Sequence, residues 1–293
     1  MNNMKIKVII FYTMLCGIWG TTWIMIKKSL MEGTPPIYGV GLRFFLAGVI
    51  LLIVTLFRKK SIPHSKNAIK IYLSFTLLNF VVGYGLTYFA TQFIYSNLAS
   101  ILWAGFPMVI VILSHFYLRD DQLTIKRVIT ITVGMTGVIL ILSQGRALGG
   151  EHVFLGVTMI GVAVVIAAWP NVYLKKYISH IDALSMNAVC QTSAGIILLL
   201  ISSIIESDQV MNWNSFNIFA MFYLTLFGTI ITWMIYIWLF NHLSMTQIAY
   251  VAFPPPVIAF IIGWYFLGET LTTLSILGAV MVIGGAVIVN LKR

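Results

Sequence analysis

Apolar runs of about 20 residues recur along the whole chain, and they limit its fold more than any other feature. Each run is long enough to cross a bilayer core of roughly 30 Å as an α-helix. A chain of 293 residues that is 60% hydrophobic and 9% charged cannot bury all of them in a water-soluble fold. The sequence therefore predicts an all-α integral membrane protein with ten transmembrane helices. The runs are 8–26, 37–57, 71–90, 98–118, 124–142, 153–174, 183–205, 216–240, 248–267 and 274–291.

Basic residues are distributed unevenly between the loops that join these runs. The net charge of +10 would favour nucleic-acid binding in a soluble chain, but here it lies in short loops beside apolar spans, where it sets orientation. Fourteen Lys and Arg residues fall on the side of the amino terminus, against Lys27, Lys28 and Arg146 on the other side. We therefore expect no nucleic-acid partner and two cytoplasmic termini. Short loops without a transit peptide favour a bacterial inner membrane.

One segment of the sequence occurs twice. Residues 103–121 read WAGFPMVIVILSHFYLRDD, and residues 252–270 read AFPPPVIAFIIGWYFLGET. When Pro107 is aligned with Pro256, the apolar run, the aromatic pair, the leucine and the acid that follow also align. Similarity at a fixed offset indicates an internal repeat, which is typical of transporters.

Weaker matches extend the repeat over the whole chain. Gly48 aligns with Gly195, and Trp19 aligns with Trp169, at nearly the same offset. The sequence thus predicts two five-helix halves, residues 1–145 and 146–293. Because five is odd, the second half must enter the membrane from the opposite side, which predicts inverted repeats.

All eight acidic residues fall in loops or at the ends of the predicted helices. A carboxylate at membrane depth is usual in proton-coupled carriers, so this placement argues against acid-based proton antiport. No pairing of acids, histidines or metal ligands indicates catalysis, and Cys16 and Cys190 are interpreted as packing residues. We therefore expect no catalytic residue, no metal and no cofactor.

Arg43 is the one charge that lies clearly inside a predicted span. Its burial in lipid costs at least about 2.5–3.5 kcal/mol, so it should face the interior of the bundle or reach the headgroups. It could bind an anionic group of a substrate, such as a carboxylate, or it could bond structurally to the carbonyls of a neighbouring helix.

Prolines inside the spans free carbonyls that lipid cannot satisfy. Pro107 and the run Pro254, Pro255 and Pro256 are therefore predicted to shape a cavity or act as hinges, with simple packing kinks as the alternative. Three consecutive prolines should locally break the ninth helix.

Aromatic residues near these prolines, or at equivalent places in the two halves, are candidates for a cavity wall. A wall with few polar groups would suit an amphipathic metabolite, such as an amino acid with an apolar side chain. The predicted substrate contacts are Arg43, Tyr84, Tyr88, Trp103, Trp169, Asn171 and Trp233, and the further polar candidates are Asn79, Thr87 and Thr232. Trp19 is predicted to shape the cavity or hinge together with the prolines.

These features resemble the EamA branch of the drug/metabolite transporter superfamily. The resemblance covers nearly the whole chain and is carried by Trp19-Gly20, Lys27, Pro36, Arg43, the Pro107 segment and, most specifically, FLGETLT at residues 266–272. The first copy departs from the pattern, with Arg119-Asp120-Asp121 where Gly-Glu is usual.

The resemblance implies a bacterial inner-membrane carrier, commonly an exporter of amino acids or related metabolites, with a central cavity between the halves. We expect alternating access, with the halves rocking about that cavity and with a small-molecule substrate and the lipid bilayer as partners. A lipid-linked carrier flippase, a drug exporter and a membrane-embedded enzyme remain alternatives. The sequence leaves open whether the protein is a monomer or a homodimer.

Overall fold

The computed structural model describes most of the chain, and the described part is built from helices. Described are residues 3–118, 125–142, 152–177, 181–243, 248, 250–252, 254–269 and 272–290, and these ranges contain no β-strand. The α-helices are α1 (Asn3–Met31), α2 (Pro36–Phe57), α3 (Lys66–Ser74), α4 (Gly85–Thr91), α5 (Ser96–Trp103), α6 (Phe106–Tyr117), α7 (Ile125–Leu142), α8 (Val153–Tyr177), α9 (Ala183–Ile205), α10 (Ser215–Thr225), α11 (Thr232–Phe240), α12 (Pro254–Leu267) and α13 (Thr273–Asn290).

Two π-helices and one 3₁₀ turn complete the described elements. The first π-helix, π1 (Phe75–Tyr84), joins α3 to α4, and the second, π2 (Leu226–Ile231), joins α10 to α11. The 3₁₀ turn covers Tyr250–Ala252. The prediction of an all-α fold is thus confirmed.

Seven of the described helical segments are long and apolar enough to cross a membrane. They are α1, α2, α3–π1–α4, α5–α6, α8, α9 and α10–π2–α11. A shorter apolar helix, α12, covers 14 residues of the ninth predicted span, and α7 and α13 fall within the fifth and tenth. Each predicted span therefore contains helix, while the count of ten membrane crossings stays a prediction.

Polar side chains begin several of these helices. The first turn of a helix has backbone N–H groups without partners, and a side-chain oxygen at the N-cap accepts from one of them. Ser65 accepts from Ala68 N at 3.2 Å at the start of α3. Asp182 accepts from Ser185 N at 3.1 Å at the start of α9.

The helices α2 and α9 cross at glycines. A Cβ atom at Gly48 would overlap the backbone of Thr192, and a Cβ atom at Gly195 would overlap the backbone of Phe45. Small residues let helix backbones approach this closely. The two glycines that align between the halves of the sequence therefore meet at one crossing, where each lies against the other helix.

The two π-helices occupy matching places in the two halves. At the offset that relates Pro107 to Pro256, the residues of π2 align with residues inside π1. A π-helix widens the turn and redirects its carbonyls, and such turns often occur at functional sites. This match extends the internal repeat from the sequence to the local backbone.

Pro107 and Pro254 lie in the first turns of helices, and within the ninth predicted span a 3₁₀ turn precedes the helix that Pro254 begins. Pro254 opens α12, directly after the 3₁₀ turn and Phe253, which lies outside the described residues. Pro107 is the second residue of α6, after a turn at Ala104 and Gly105. A proline in the first turn costs little, because the N–H it lacks would have no partner there.

Replacing Gly48 with alanine should destabilise the protein. The added Cβ meets backbone atoms, which cannot rotate away, and overpacking of this kind costs about 1–3 kcal/mol. The midpoint of thermal unfolding of the purified protein would measure the loss. Gly161→Ala is the matched control, since no atom lies within 4 Å of its added Cβ. Equal midpoints for both variants would contradict the close crossing.

Candidate functional site

A cavity of about 110 Å³ lies among helices from both halves of the sequence. An enclosed cavity of about 150 Å³ holds a benzene molecule, whereas this cavity is somewhat smaller and partly open. Its wall combines aromatic rings with a few polar groups, as small-molecule sites commonly do. The lining residues are Trp19, Thr22, Trp23, Ile26, Arg43, Asn79, Tyr84, Thr87, Ser100, Trp103, Phe106, Asn171, Trp233, Tyr236, Ile248, Val251, Ala252 and Pro255.

Arg43 forms one wall of this cavity, and its side chain is only 2% exposed. Its Nε donates to Thr229 Oγ1, Nη1 donates to Tyr88 Oη at 2.7 Å, and Nη2 donates to the Gly228 carbonyl oxygen at 2.6 Å. Gly228 and Thr229 belong to π2, so the guanidinium joins α2 of the first half to the second half.

Aromatic faces, rather than a carboxylate, surround the charge of Arg43. Its Cζ lies 5.6 Å from the ring centroid of Phe44, 5.8 Å from that of Tyr84 and 5.9 Å from that of Tyr88. Cation–π attraction stabilises a cation at such distances. Within the described residues, Arg43 takes part in no salt bridge.

A chain of amide and hydroxyl groups crosses the cavity wall opposite the arginine's helix. Tyr236 Oη donates to Asn171 Oδ1 at 3.0 Å, and Asn171 Nδ2 donates to Asn79 Oδ1 at 3.4 Å. These contacts link α11, α8 and π1. Trp103 Nε1 donates to Thr87 Oγ1 at 3.2 Å on a further wall.

Three buried polar atoms of the lining have no hydrogen-bond partner among the described residues. They are Asn79 Nδ2, Ser100 Oγ and Trp233 Nε1, whose residues are 3%, 1% and 3% exposed. A buried polar group without a partner costs roughly 1–3 kcal/mol. Because all three residues line the cavity, a bound molecule or water there could satisfy them.

Trp233 is the centre of the aromatic wall. Its ring centroid lies 4.8 Å from that of Phe80 and 5.2 Å from that of Tyr236, both edge to face. Trp19 packs against Trp233 and Tyr236, with its ring centroid 6.2 Å and 5.3 Å from theirs. Edge-to-face contacts fix the rings relative to one another, so this wall is preformed.

Most of the side chains predicted for the site lie together, and several do not. Trp169 is 38% exposed and packs against Tyr117 and Tyr173, outside the lining. Tyr88 lies behind the wall, where it bonds Arg43. The predicted residues that line the cavity are Trp19, Arg43, Tyr84, Trp103, Asn171, Trp233 and Pro255, and the predicted residues outside the lining are Tyr88, Trp169, Pro107, Pro254 and Pro256.

Other lining residues were missed by the sequence analysis. Tyr236 and Ser100 each lie three residues from a predicted tryptophan, Trp233 and Trp103, on the same helix. Residues three apart share a helix face, so helical spacing could have indicated both. Ile248 and Val251 carry no comparable signal, because aliphatic residues occur throughout the chain.

Glu206 closes one end of the bundle by capping α2. Its Oε1 accepts from Ile37 N at 2.8 Å, and its Oε2 accepts from Tyr38 N at 2.8 Å and Ser202 Oγ at 2.7 Å. The residue is buried although it carries a carboxylate. Three donors and the positive end of the α2 dipole offset the cost of that burial.

Glu269 plays the same part for α5 at the same end of the bundle. Its Oε1 accepts from Ser96 N at 2.7 Å, and its Oε2 accepts from Ser96 Oγ at 2.8 Å and Asn97 N at 3.1 Å. Nearby, Lys27 Nζ donates to the Thr91 carbonyl oxygen at 2.8 Å. We call the end that holds Glu206 and Glu269 the glutamate-capped end.

The sequence profile of the EamA-like transporter family matches this chain twice, over residues 6–143 and 154–291. The chain therefore belongs to the EamA-like transporter family and is a multi-pass membrane protein of the transporter class. The family resemblance found in the sequence is confirmed.

Relatives of similar length carry transporter descriptions. The uncharacterized transporter YoaV of Bacillus subtilis is 26% identical over 96% of this chain and 95% of its own length. The uncharacterized inner membrane transporter YedA of Escherichia coli is 28% identical over 94% of this chain and 88% of its own. A solved crystal structure that is 14% identical superposes with a TM-score of 0.69 over 96% of each chain, which supports the fold alone.

Glu269→Gln should lower the stability of the protein. The amide keeps the shape but removes the charge and one acceptor, leaving buried donors at α5 without full partners, a loss of about 1–3 kcal/mol. Thermal unfolding of the purified variant would measure it. Asp208→Asn provides the control, because this acid is exposed in the turn after α9. An unchanged midpoint for Glu269→Gln would contradict the capping role.

Proposed function

We propose that this protein is a secondary transporter that exports amino acids or related small metabolites by alternating access. The observation that carries the proposal is the cavity lined by residues of both halves, with aromatic walls and one arginine. Arg43 would bind a carboxylate, while Trp233, Trp103 and Tyr84 would pack against the apolar part of the substrate. The direction of transport rests on the resemblance to exporters of the family.

The lining of the cavity supports a small metabolite as the substrate. Its aromatic rings would pack against an apolar body, and its few polar groups would fix the orientation of that body.

Contacts between the halves support alternating access. At the glutamate-capped end, Glu206 and Glu269 of the second half hold the first turns of α2 and α5 of the first half. Beyond the other end of α2, Lys60 and Asp182 form an ion pair at 3.5 Å. Each end thus has polar contacts across the halves that could open while the contacts of the other end stay closed.

The membrane arrangement is part of this proposal. Ten spans in two inverted halves, residues 1–145 and 146–293, would place both termini in the bacterial cytoplasm and the glutamate-capped end outside. Two observations support it: the bias of basic residues toward one set of loops, and helix in each of the ten predicted spans. The relative YedA is described as an inner membrane protein.

Reporter fusions would test that arrangement. Alkaline phosphatase, which is active only outside the cytoplasm, should be active when fused after Asp208 and inactive when fused after Lys60 or Arg293. Green fluorescent protein should give the reverse pattern at the same three positions. If the phosphatase fusions after Lys60 and after Asp208 were equally active, the two positions would lie on the same side of the membrane, and the predicted arrangement would be wrong.

The transport proposal is tested by efflux of radiolabelled amino acids from cells and from proteoliposomes. Trp103→Ala removes a cavity wall, and we expect it to reduce saturable efflux at least about tenfold, equivalent to about 1.4 kcal/mol of transition-state binding. Trp169→Ala removes an equally large ring outside the lining and should leave efflux near the wild-type rate.

The comparison of the two tryptophan variants separates the outcomes. Loss in Trp103→Ala with retention in Trp169→Ala, at equal protein levels, supports the cavity as the transport site. If the folded wild-type protein moves no amino acid and no related metabolite, the substrate class is wrong. Equal loss in both variants would contradict the assignment of the cavity.

A further inference from the structure

We propose that the cavity selects small organic anions, binding their carboxylate with Arg43 and their aromatic or apolar body with the surrounding rings, and that it does not require an ammonium group. This inference rests on the proposed function and narrows its substrate class. It treats amino acids as ligands because they are carboxylates, rather than because they are zwitterions.

The guanidinium of Arg43 has donors to spare. Arginine has five N–H groups, and hydrogen bonds to Thr229, Tyr88 and Gly228 use three of them. One N–H remains on each of Nη1 and Nη2, with no partner within the described residues. Because Arg43 lines the cavity, a carboxylate there could accept hydrogen bonds from these groups, and hydrogen bonds between charged partners are roughly twice as strong as neutral ones.

The charge balance of the cavity is positive. Its lining includes Arg43, and within the described residues it includes no acidic side chain. The two most buried carboxylates, Glu206 and Glu269, already accept hydrogen bonds from helix N-termini elsewhere. A buried cation without a counter-ion is costly, so an entering anion gains more than a neutral molecule of the same shape.

A substrate ammonium group would find weaker partners. The side-chain oxygens of Asn171 and Asn79 each already accept one hydrogen bond, from Tyr236 and from Asn171, so each has one lone pair left for a ligand. The lining atoms without a hydrogen-bond partner among the described residues are Ser100 Oγ, Asn79 Nδ2 and Trp233 Nε1, and the last two are only donors. Asn79 Nδ2 would therefore bind a second acceptor atom of the ligand, and it opposes a cation.

Binding to the purified full-length protein in lipid nanodiscs tests this inference. Isothermal titration would compare four probes with one aromatic body: hydrocinnamate, its neutral amide, phenylalanine and phenylpropylamine. We expect hydrocinnamate to bind at least about tenfold more tightly than the amide, a difference of about 1.4 kcal/mol. Hydrocinnamate should bind at least as tightly as phenylalanine, and the amine should bind most weakly.

Variants assign the preference to the arginine. Arg43→Gln should reduce the ratio of anion to amide affinity to about one, since it removes the charge and the paired donors. Arg43→Lys keeps the positive charge, so it should retain a smaller preference for hydrocinnamate over the amide. If Arg43→Gln does not fold, the lysine variant is tested in its place. Trp169 lies outside the lining, so Trp169→Phe should keep the full ratio of anion to amide affinity.

Several results would overturn the inference. They are equal binding of hydrocinnamate and its amide, no binding of hydrocinnamate, or phenylalanine binding more than about tenfold tighter than hydrocinnamate. Failure of the proposed function is distinguishable. If the protein prefers the anion but transports nothing in proteoliposomes, the anion site stands and the transporter proposal fails. If the protein transports phenylalanine and hydrocinnamate does not inhibit that transport, the transporter proposal stands and the anion selectivity fails.

Discussion

The buried guanidinium of Arg43 is the interaction on which the interior of this protein depends. In lipid or in an apolar core, a charged group must find its partners within the protein. Arg43 finds them in a tyrosine of α4 and in π2 of the other half. The wide turn of π2 presents the Gly228 carbonyl to it. One side chain therefore joins the two halves and gives the cavity its charge.

The same requirement explains the glutamate-capped end. Glu206 and Glu269 are buried carboxylates whose oxygens meet the unpaired N–H groups at the starts of α2 and α5. Helix N-termini and acidic side chains satisfy each other, so neither needs water. Both contacts join the halves, as the Arg43 contact does.

Several parts of the site followed from residue types and spacing. The arginine inside a span, the repeat-related Tyr84 and Trp233, and Asn171 all line the cavity. Trp169 was predicted because it aligns with Trp19, yet it packs on the outside with Tyr117. An internal repeat relates positions along the chain, but the tryptophan at one of two related positions can still lie on the outside. Alignment alone therefore could not separate the lining residue from the exposed one.

By itself, the sequence determined the helical class, the duplication and the family, because run length, fixed-offset similarity and the FLGETLT motif are local properties. Only the tertiary structure decided which groups meet. The pairing of Gly48 with the α9 backbone, of Glu269 with Ser96 and of Arg43 with Gly228 joins residues far apart in the chain. Such contacts depend on how helices cross, and packing of the whole bundle sets that geometry.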